Sequence, residues 1–135
     1  MPVKNRIIVV IILLIIVFLI GFFPQYIKVK RLENDLSVAR QENALAQLRD
    51  LAGLVFLQTS QKNYGLAAGT SKQFFSRTRE VASREPDANR RKALENLLTS
   101  QEKITAELEK GDPEALGDLR VLFEKTRQAA SSIGR

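Results

Sequence analysis

The sequence predicts an all-α fold with one N-terminal transmembrane helix, a helical stalk and an antiparallel, up-down helical bundle. Three observations lead to it. An uncharged apolar run lies near the start of the chain, a stripe of residues at coiled-coil spacing follows it, and the remainder repeats apolar residues three and four apart between short turn signals. The bundle is expected to have four helices, or three if its first two are continuous.

The apolar run covers residues 7–23, and no side chain in it is charged or polar. A helix rises about 1.5 Å per residue, so with Tyr26 and Ile27 the run reaches the roughly 30 Å thickness of a hydrocarbon core. A cleaved signal peptide would end in small residues, and a buried core helix would show a polar stripe, whereas this run has neither. We therefore predict a short basic tail at 1–6 and a retained transmembrane helix at 7–27, with a bend or break near Pro24.

The orientation of the transmembrane helix is set by the basic residues that flank it. They are Lys4 and Arg6 before the run, and Lys28, Lys30, Arg31 and Arg40 after it. A plain count favours a cytoplasmic C-terminus, but long domains are translocated largely regardless of charge. We predict a single-pass membrane protein with its N-terminus in the cytoplasm and its C-terminal domain on the extracytoplasmic side.

The 135 residues include no cysteine and no histidine. Disulfides, thiol nucleophiles and thiolate metal sites are therefore excluded, together with the side chain used most often as a general base. Glu95, Glu102 and Glu109 recur every seven residues, as metal ligands do in some bundles, but without histidine a solvated helix face is the preferred interpretation. We expect no catalytic residues, no cofactor and no metal, so the protein is predicted not to be an enzyme.

Residues 28–43 are predicted to form a juxtamembrane coiled-coil stalk. A seam at alternating spacings of three and four begins there and extends just past it, with the members Val29, Leu32, Leu36, Ala39, Asn43 and Ala46. Such a seam indicates an oligomer contact in which a buried Asn43 would set register and strand number. The alternative is an exposed polar residue on a lone helix.

Residues 44–131 are predicted to form the helical bundle. Its first turn is expected at 62–65, where Asn63 and Gly65 tolerate left-handed backbone, although one continuous helix is the alternative. Pro86 is expected to end the second helix, with Asp87 capping a third helix at 88–110. The last helix is expected at 113–131, after Gly111 and Asp112, and residues 132–135 are predicted to fray.

Each bundle helix carries a predicted buried stripe. The stripes comprise Leu45, Leu48, Ala52, Val55, Phe56 and Thr59; Ala67, Ser71, Phe74, Phe75, Thr78, Val81 and Ala82; Leu94, Leu97, Leu98, Ile104 and Leu108; and Leu116, Leu119, Leu122, Phe123, Thr126, Ala130 and Ile133.

Basic residues concentrate between 72 and 92. The candidates for contact with an anionic surface are Arg77, Arg79, Arg84, Arg90, Arg91 and Lys92. A solvated helix face is one interpretation; contact with anionic lipid or an acidic partner is the other. Nucleic acid is not expected as a partner, because no aromatic stacking residues alternate with the basic ones.

The expected function is that of a non-enzymatic structural or protein-interaction subunit of a membrane-associated complex. Its expected partners are the lipid bilayer and other membrane-associated proteins or further copies of itself. The alternative is a helical bundle that senses a ligand and has no output domain of its own.

Overall fold

A computed structural model describes residues 2–131 of the chain, and every regular element in this range is a helix. The elements are α1 (Val3–Ser60), α2 (Tyr64–Arg84), α3 (Ala88–Leu98), α4 (Gln101–Lys110) and α5 (Ala115–Ser131). The all-helical fold class is confirmed. The predicted fraying of 132–135 and the inward position of Ile133 lie outside the described residues.

Helix α1 contains the apolar run, and it is long and apolar enough to cross a membrane. Large apolar side chains from Ile7 to Phe23 are all exposed, by 47% to 68%. The helix is not interrupted at Pro24, so of the predicted bend or break the break is excluded, and the bend stays a prediction. Proline removes one backbone donor, but its fixed φ is close to the helical value, and α1 continues past it.

The chain divides into two compact units, the first ending at Ala39 and the second beginning at Arg40. Helix α1 contributes to both. From Val3 onwards the first unit consists of helix alone, with its large apolar side chains exposed. The second unit contains the hydrophobic core.

Helix α2 supplies the centre of that core. All seven residues of its predicted stripe, from Ala67 to Ala82, are buried. The rings of Phe74 and Phe75 meet edge to face with centroids 5.1 Å apart. Burying a phenylalanine contributes about 1.5–3 kcal/mol, so this pair is a main source of stability.

Helices α3 and α4 pack directly against α2. Helix α5 contacts both of these. Helix α1 meets α5 where Gly53 faces the Phe123 ring, whose nearest carbon would lie 3.3 Å from a Cβ at residue 53. The Phe56 and Phe123 rings lie nearly parallel, with centroids 6.4 Å apart.

The buried stripes on α1, α3, α4 and α5 are largely as predicted. Phe56, Leu98, Phe123 and Ala130 are only partly buried, and so is Leu116. The predicted stripes omit three alanines that are buried, Ala44, Ala115 and Ala129.

The first predicted turn is confirmed, because α1 ends at Ser60 and α2 begins at Tyr64. One continuous helix through this region is thereby excluded. The left-handed residue is Lys62, with φ of 59°, rather than Asn63 or Gly65. The turn closes with the Asn63 amide donating to the Gln58 carbonyl at 2.9 Å.

The caps of the later helices were readable from the sequence. Asp87 caps α3, since its Oδ1 accepts from the Arg90 amide at 2.8 Å. Gly111 ends α4 with φ of 64°, in the left-handed region. Asp112 Oδ1 then accepts from the Glu114 amide at 2.9 Å, in a turn that leads into α5 at Ala115.

The predicted third helix is two helices. It is interrupted at Thr99 and Ser100, between α3 and α4. Their backbone amides bond three residues back, to Asn96 and Leu97, and their hydroxyls donate to the same two carbonyls at 2.7 and 2.8 Å. Side-chain hydroxyls that compete for helix carbonyls favour such a break.

Candidate functional site

The predicted seam lies on the outer surface of α1. Val29, Leu32 and Leu36 are exposed by 55%, 70% and 50%. Ala39 is exposed as well, and in the second unit Asn43 is exposed while Ala46 is half-buried. Residues at these spacings share one face of a helix, so the structure presents an apolar stripe to solvent beyond the end of the apolar run.

The face of α1 that packs into the second unit is a different one. Leu45 and Leu48 are buried there, whereas Asn43 is exposed. At 100° per residue, Leu45 lies about 160° and Leu48 about 140° from Asn43 around the helix. Within the second unit, Asn43 is therefore on the opposite side of α1 from Leu45 and Leu48, which enter the core.

The predicted basic cluster is divided between α2, which carries Arg77, Arg79 and Arg84, and α3, which carries the others. Arg77 and Arg84 both pair with Glu80, at 2.7 and 3.4 Å. Hydrogen bonding by Arg77, and then its charge, lower the pKa of Glu80. Part of the positive charge on α2 is therefore neutralised within the helix itself.

The remaining members of the cluster differ in whether the protein itself supplies a partner for them. Arg79 donates a hydrogen bond to the Gln101 side chain, and Arg90 pairs with the buried Glu85. Arg91 and Lys92 are exposed, and within residues 2–131 no ion pair is seen for them. The contact of this cluster with an anionic surface stays a prediction, resting mainly on Arg79, Arg91 and Lys92.

Glu85 forms a buried polar network that sequence reasoning missed. The residue is only 2% exposed. Its Oε1 accepts from the Asp87 amide at 3.1 Å and from Arg90 Nη1 at 3.2 Å, and its Oε2 accepts from Gln41 Nε2 at 2.6 Å. The network joins α1, the α2–α3 connection and α3. Pro86 signalled the extended backbone here, but nothing local indicated Gln41, which lies 44 residues away.

A second unpredicted cluster contains Glu107 on α4, Asp118 on α5 and Lys103. Lys103 Nζ lies 2.7 Å from Asp118 Oδ2 and 3.7 Å from Glu107 Oε1. Glu107 is 7% exposed, and its Oε2 is buried with no hydrogen-bond donor facing it. A protonated Glu107 can donate a hydrogen bond to Asp118, which is one of the causes of the raised pKa of Glu107.

The pKa values of the two carboxyl groups in this cluster, Glu107 and Asp118, are shifted in opposite directions. Burial first, and then the hydrogen bond and charge of Asp118, raise the pKa of Glu107. The hydrogen bond from Lys103 is the main reason that the pKa of Asp118 is lowered. The same contact raises the pKa of Lys103. The cluster therefore holds one close ion pair, Lys103 with Asp118, beside a buried carboxyl group whose pKa is raised.

Glu95, Glu102 and Glu109 are all exposed, in agreement with the solvated face predicted for them. Among the described residues, no group of three or more potential ligands is arranged to hold a metal ion.

A groove runs along α3 and α5. Its larger part has a volume of about 560 Å³, with an apolar floor that includes Ala93 and Leu97, and with Arg90 and Lys125 among the polar residues that line it. Arg90 Nε is buried and has no hydrogen-bond partner. A smaller part of about 190 Å³ continues past Asn96 towards Lys103 and Asp118. Asp87 also lines the larger part, and Arg90 is paired there with the buried Glu85.

No family model, curated protein or solved structure matches this chain. The features of this chain that bear on function are the exposed face of α1 and the polar groups of the second unit.

Proposed function

We propose that this chain is a single-pass, membrane-anchored helical protein that acts without catalysis, as a structural or protein-interaction subunit of a membrane-associated complex. The observation that carries the proposal is the exposure of α1. Its large apolar side chains from Ile7 to Phe23 have no cover from the protein, and an exposed apolar surface of this length is stable only in lipid or against another protein.

The position of the seam supports a protein partner in addition to the bilayer. Exposed apolar side chains continue to Leu36, about 13 residues beyond Phe23, which is roughly 20 Å of helix. This lies past the hydrocarbon of one crossing if 7–27 is the transmembrane segment. A second helix is the simplest cover for these side chains.

Part of the proposal concerns architecture and orientation. We propose that the helices of the second unit alternate in direction, which is supported by the short connections at 61–63, 85–87 and 111–114. The proposed orientation has the N-terminus in the cytoplasm and the second unit on the other side. Protease added to sealed vesicles of known sidedness would digest the second unit only from the extracytoplasmic face, and digestion only from the cytoplasmic face would reverse the orientation.

The interaction role is tested by purifying the intact chain from its native membrane after chemical cross-linking. We expect specific cross-linked species that are lost when Leu32 and Leu36 are both replaced by aspartate. The control is Val38→Asp, a change at an exposed apolar residue outside the seam, and it should retain these species. A chain that stays monomeric and co-purifies with no protein would contradict the role.

A ligand-sensing bundle is the second candidate, and the groove between α3 and α5 favours it. Arg90 and Lys125 bring basic side chains to one concave surface, which Asp87 also lines, and Arg90 is at the same time paired with the buried Glu85. Succinate serves as the probe for a small anion. At a concentration of about 10 mM, it should raise the melting temperature of the wild-type chain in detergent but not of Lys125→Ala. Equal responses of the two proteins, or no response in either, would remove this candidate.

A further inference from the structure

The residues that flank the seam on α1 carry an ordered pattern of charge. In heptad terms Val29 and Leu36 occupy position a, and Leu32 and Ala39 occupy position d. Position g, just before each a residue, is filled by Lys28 and Asp35. Position e, just after each d residue, is filled by Glu33 and Arg40.

In a parallel two-stranded coiled coil, a g residue of one helix faces the e residue five positions later on the other helix. Here that rule matches Lys28 with Glu33 of a second copy, and Asp35 with Arg40 of a second copy. Both matches are of opposite charge. The same two matches recur on the other side of the seam because the arrangement is two-fold symmetric.

We propose that two copies of this chain pair in parallel along the α1 face formed by Val29, Leu32, Leu36 and Ala39, with these charge pairs on either side. The inference rests on the proposed function, since it names the partner of the anchored chain as a second copy. Two anchors that enter one bilayer in the same direction hold the helices parallel.

Anchoring in a membrane also favours a dimer whose seam is too short to hold two copies together in solution. From Val29 to Ala39 the seam spans about 15 Å, which is less than the length at which helices become stable alone. Confinement of both copies to one membrane raises their effective concentration without adding any contact. The side chains of Val29, Leu32 and Leu36 are exposed, so pairing along this face removes no side chain from the hydrophobic core.

The absence of native cysteine permits a direct test. Leu32→Cys places a thiol in the seam, and Asn34→Cys places one on the outer face of the same helix, at position f. Full chains carrying each substitution are reconstituted in vesicles and oxidised. We expect Leu32→Cys to form disulfide-linked dimer at least about fivefold faster than Asn34→Cys, since only seam residues face their own counterpart in a parallel pair. Equal rates would overturn the inference.

A second experiment reverses the charges beside the seam. It tests whether Lys28 of one copy faces Glu33 of the other, independently of whether the seam residues themselves are in contact. In the Leu32→Cys background, Lys28→Glu and Glu33→Lys should each slow dimer formation at low salt. The double reversal Lys28→Glu/Glu33→Lys should restore it, because opposite charges face each other again. Single reversals without effect, or a double reversal that does not restore the rate, would overturn the charge pairing.

The outcomes separate this inference from the proposed function. Chains that resist carbonate extraction but do not form the Leu32→Cys dimer would overturn the parallel pair and leave the membrane-anchored subunit in place. Chains that carbonate releases from the membrane would contradict the proposed function itself.

Discussion

At the scale of single residues, the most constrained charge in the described structure is Glu85. It accepts three hydrogen bonds, from Gln41, the Asp87 amide and Arg90, and is almost completely buried. A buried carboxylate is tolerated only when it is paired, and removal of its partner leaves an uncompensated charge. The ion pair with Arg90 is therefore expected to matter far more than the exposed pairs of Glu80.

Replacement of Arg90 by methionine should lower the free energy of unfolding by about 2–4 kcal/mol, because it leaves Glu85 buried without its cation. Urea denaturation of the full chain in detergent micelles measures this change. Arg91→Met is the matched control, since Arg91 is exposed on the same helix, and it should alter stability by less than about 0.5 kcal/mol. The double variant Glu85→Gln/Arg90→Met should recover part of the loss.

An Arg90→Met variant as stable as Arg91→Met would show that the contact between Glu85 and Arg90 does not stabilise the fold. The ion-pair account of this network would then be wrong.

Glu107 makes stability depend on pH in a defined direction. Its pKa is raised above the usual 4.5, so the folded protein binds its proton more tightly than the unfolded chain does. The resulting stabilisation is complete below the unfolded pKa and is lost as the pH rises through the folded pKa. Asp118, with a lowered pKa, contributes in the opposite sense, and its stabilisation is lost as the pH falls below its usual 3.8.

The Glu107→Gln variant should therefore melt a few degrees higher than wild type at pH 7 and show no such advantage at about pH 4, where Glu107 is already protonated. Glutamine keeps a donor for Asp118 and carries no charge. Glu109→Gln, an exposed change on the same helix, is the control and should leave the pH profile unaltered. A Glu107→Gln profile parallel to that of wild type would contradict the shifted pKa.

At the scale of elements, the ends of the helices depend on backbone geometry that only some residues adopt. Gly111 has a positive φ of 64°, whereas Gly117 lies in helical backbone in α5 with open space around its Cα. These two glycines give opposite predictions for the same substitution.

Gly111→Ala should destabilise the protein by about 1 kcal/mol, because an L-residue is disfavoured in left-handed backbone. Gly117→Ala should stabilise it by about 0.5–1 kcal/mol, since alanine has the higher helix propensity. Thermal melts of the full chain monitored by circular dichroism measure both. Changes of the same sign would mean that Gly111 is not held in the left-handed conformation.

The sequence predicts those elements whose signals lie within a few neighbouring residues. The Asp87 cap and the Gly111 stop are local signals, because each needs only a few neighbouring residues. The buried stripe on α2 is predicted for the same reason, because its spacing of three and four residues lies within one helix. The interruption at Thr99 and Ser100 was missed because the apolar spacing from Leu94 to Leu108 continues across it, and spacing alone does not register hydroxyls that take helix carbonyls.

The polar clusters could not be predicted in this way, because their partners meet only after folding. Glu85 needs Gln41 from α1, and Glu107 needs Asp118 from α5. The sequence instead drew attention to Glu95, Glu102 and Glu109, whose regular spacing places them on an exposed face.

At the scale of the whole molecule, one helix contains both the apolar run and residues of the hydrophobic core. Helix α1 begins at Val3 with the apolar run and ends at Ser60 after supplying buried residues to the second unit. Within it the exposed surface changes from fully apolar to a narrow seam flanked by charge. This order is what a membrane anchor followed by a protein contact requires, and it is the basis of the proposed function.

The central claim is that the apolar run stays in the chain and stays in lipid. Alkaline carbonate extraction of native membranes, followed by mass spectrometry of the intact protein, tests it most directly. We predict that the protein remains in the membrane pellet and retains the residues of the apolar run. Recovery in the supernatant, or a mature protein that lacks the segment 7–27, would contradict the account.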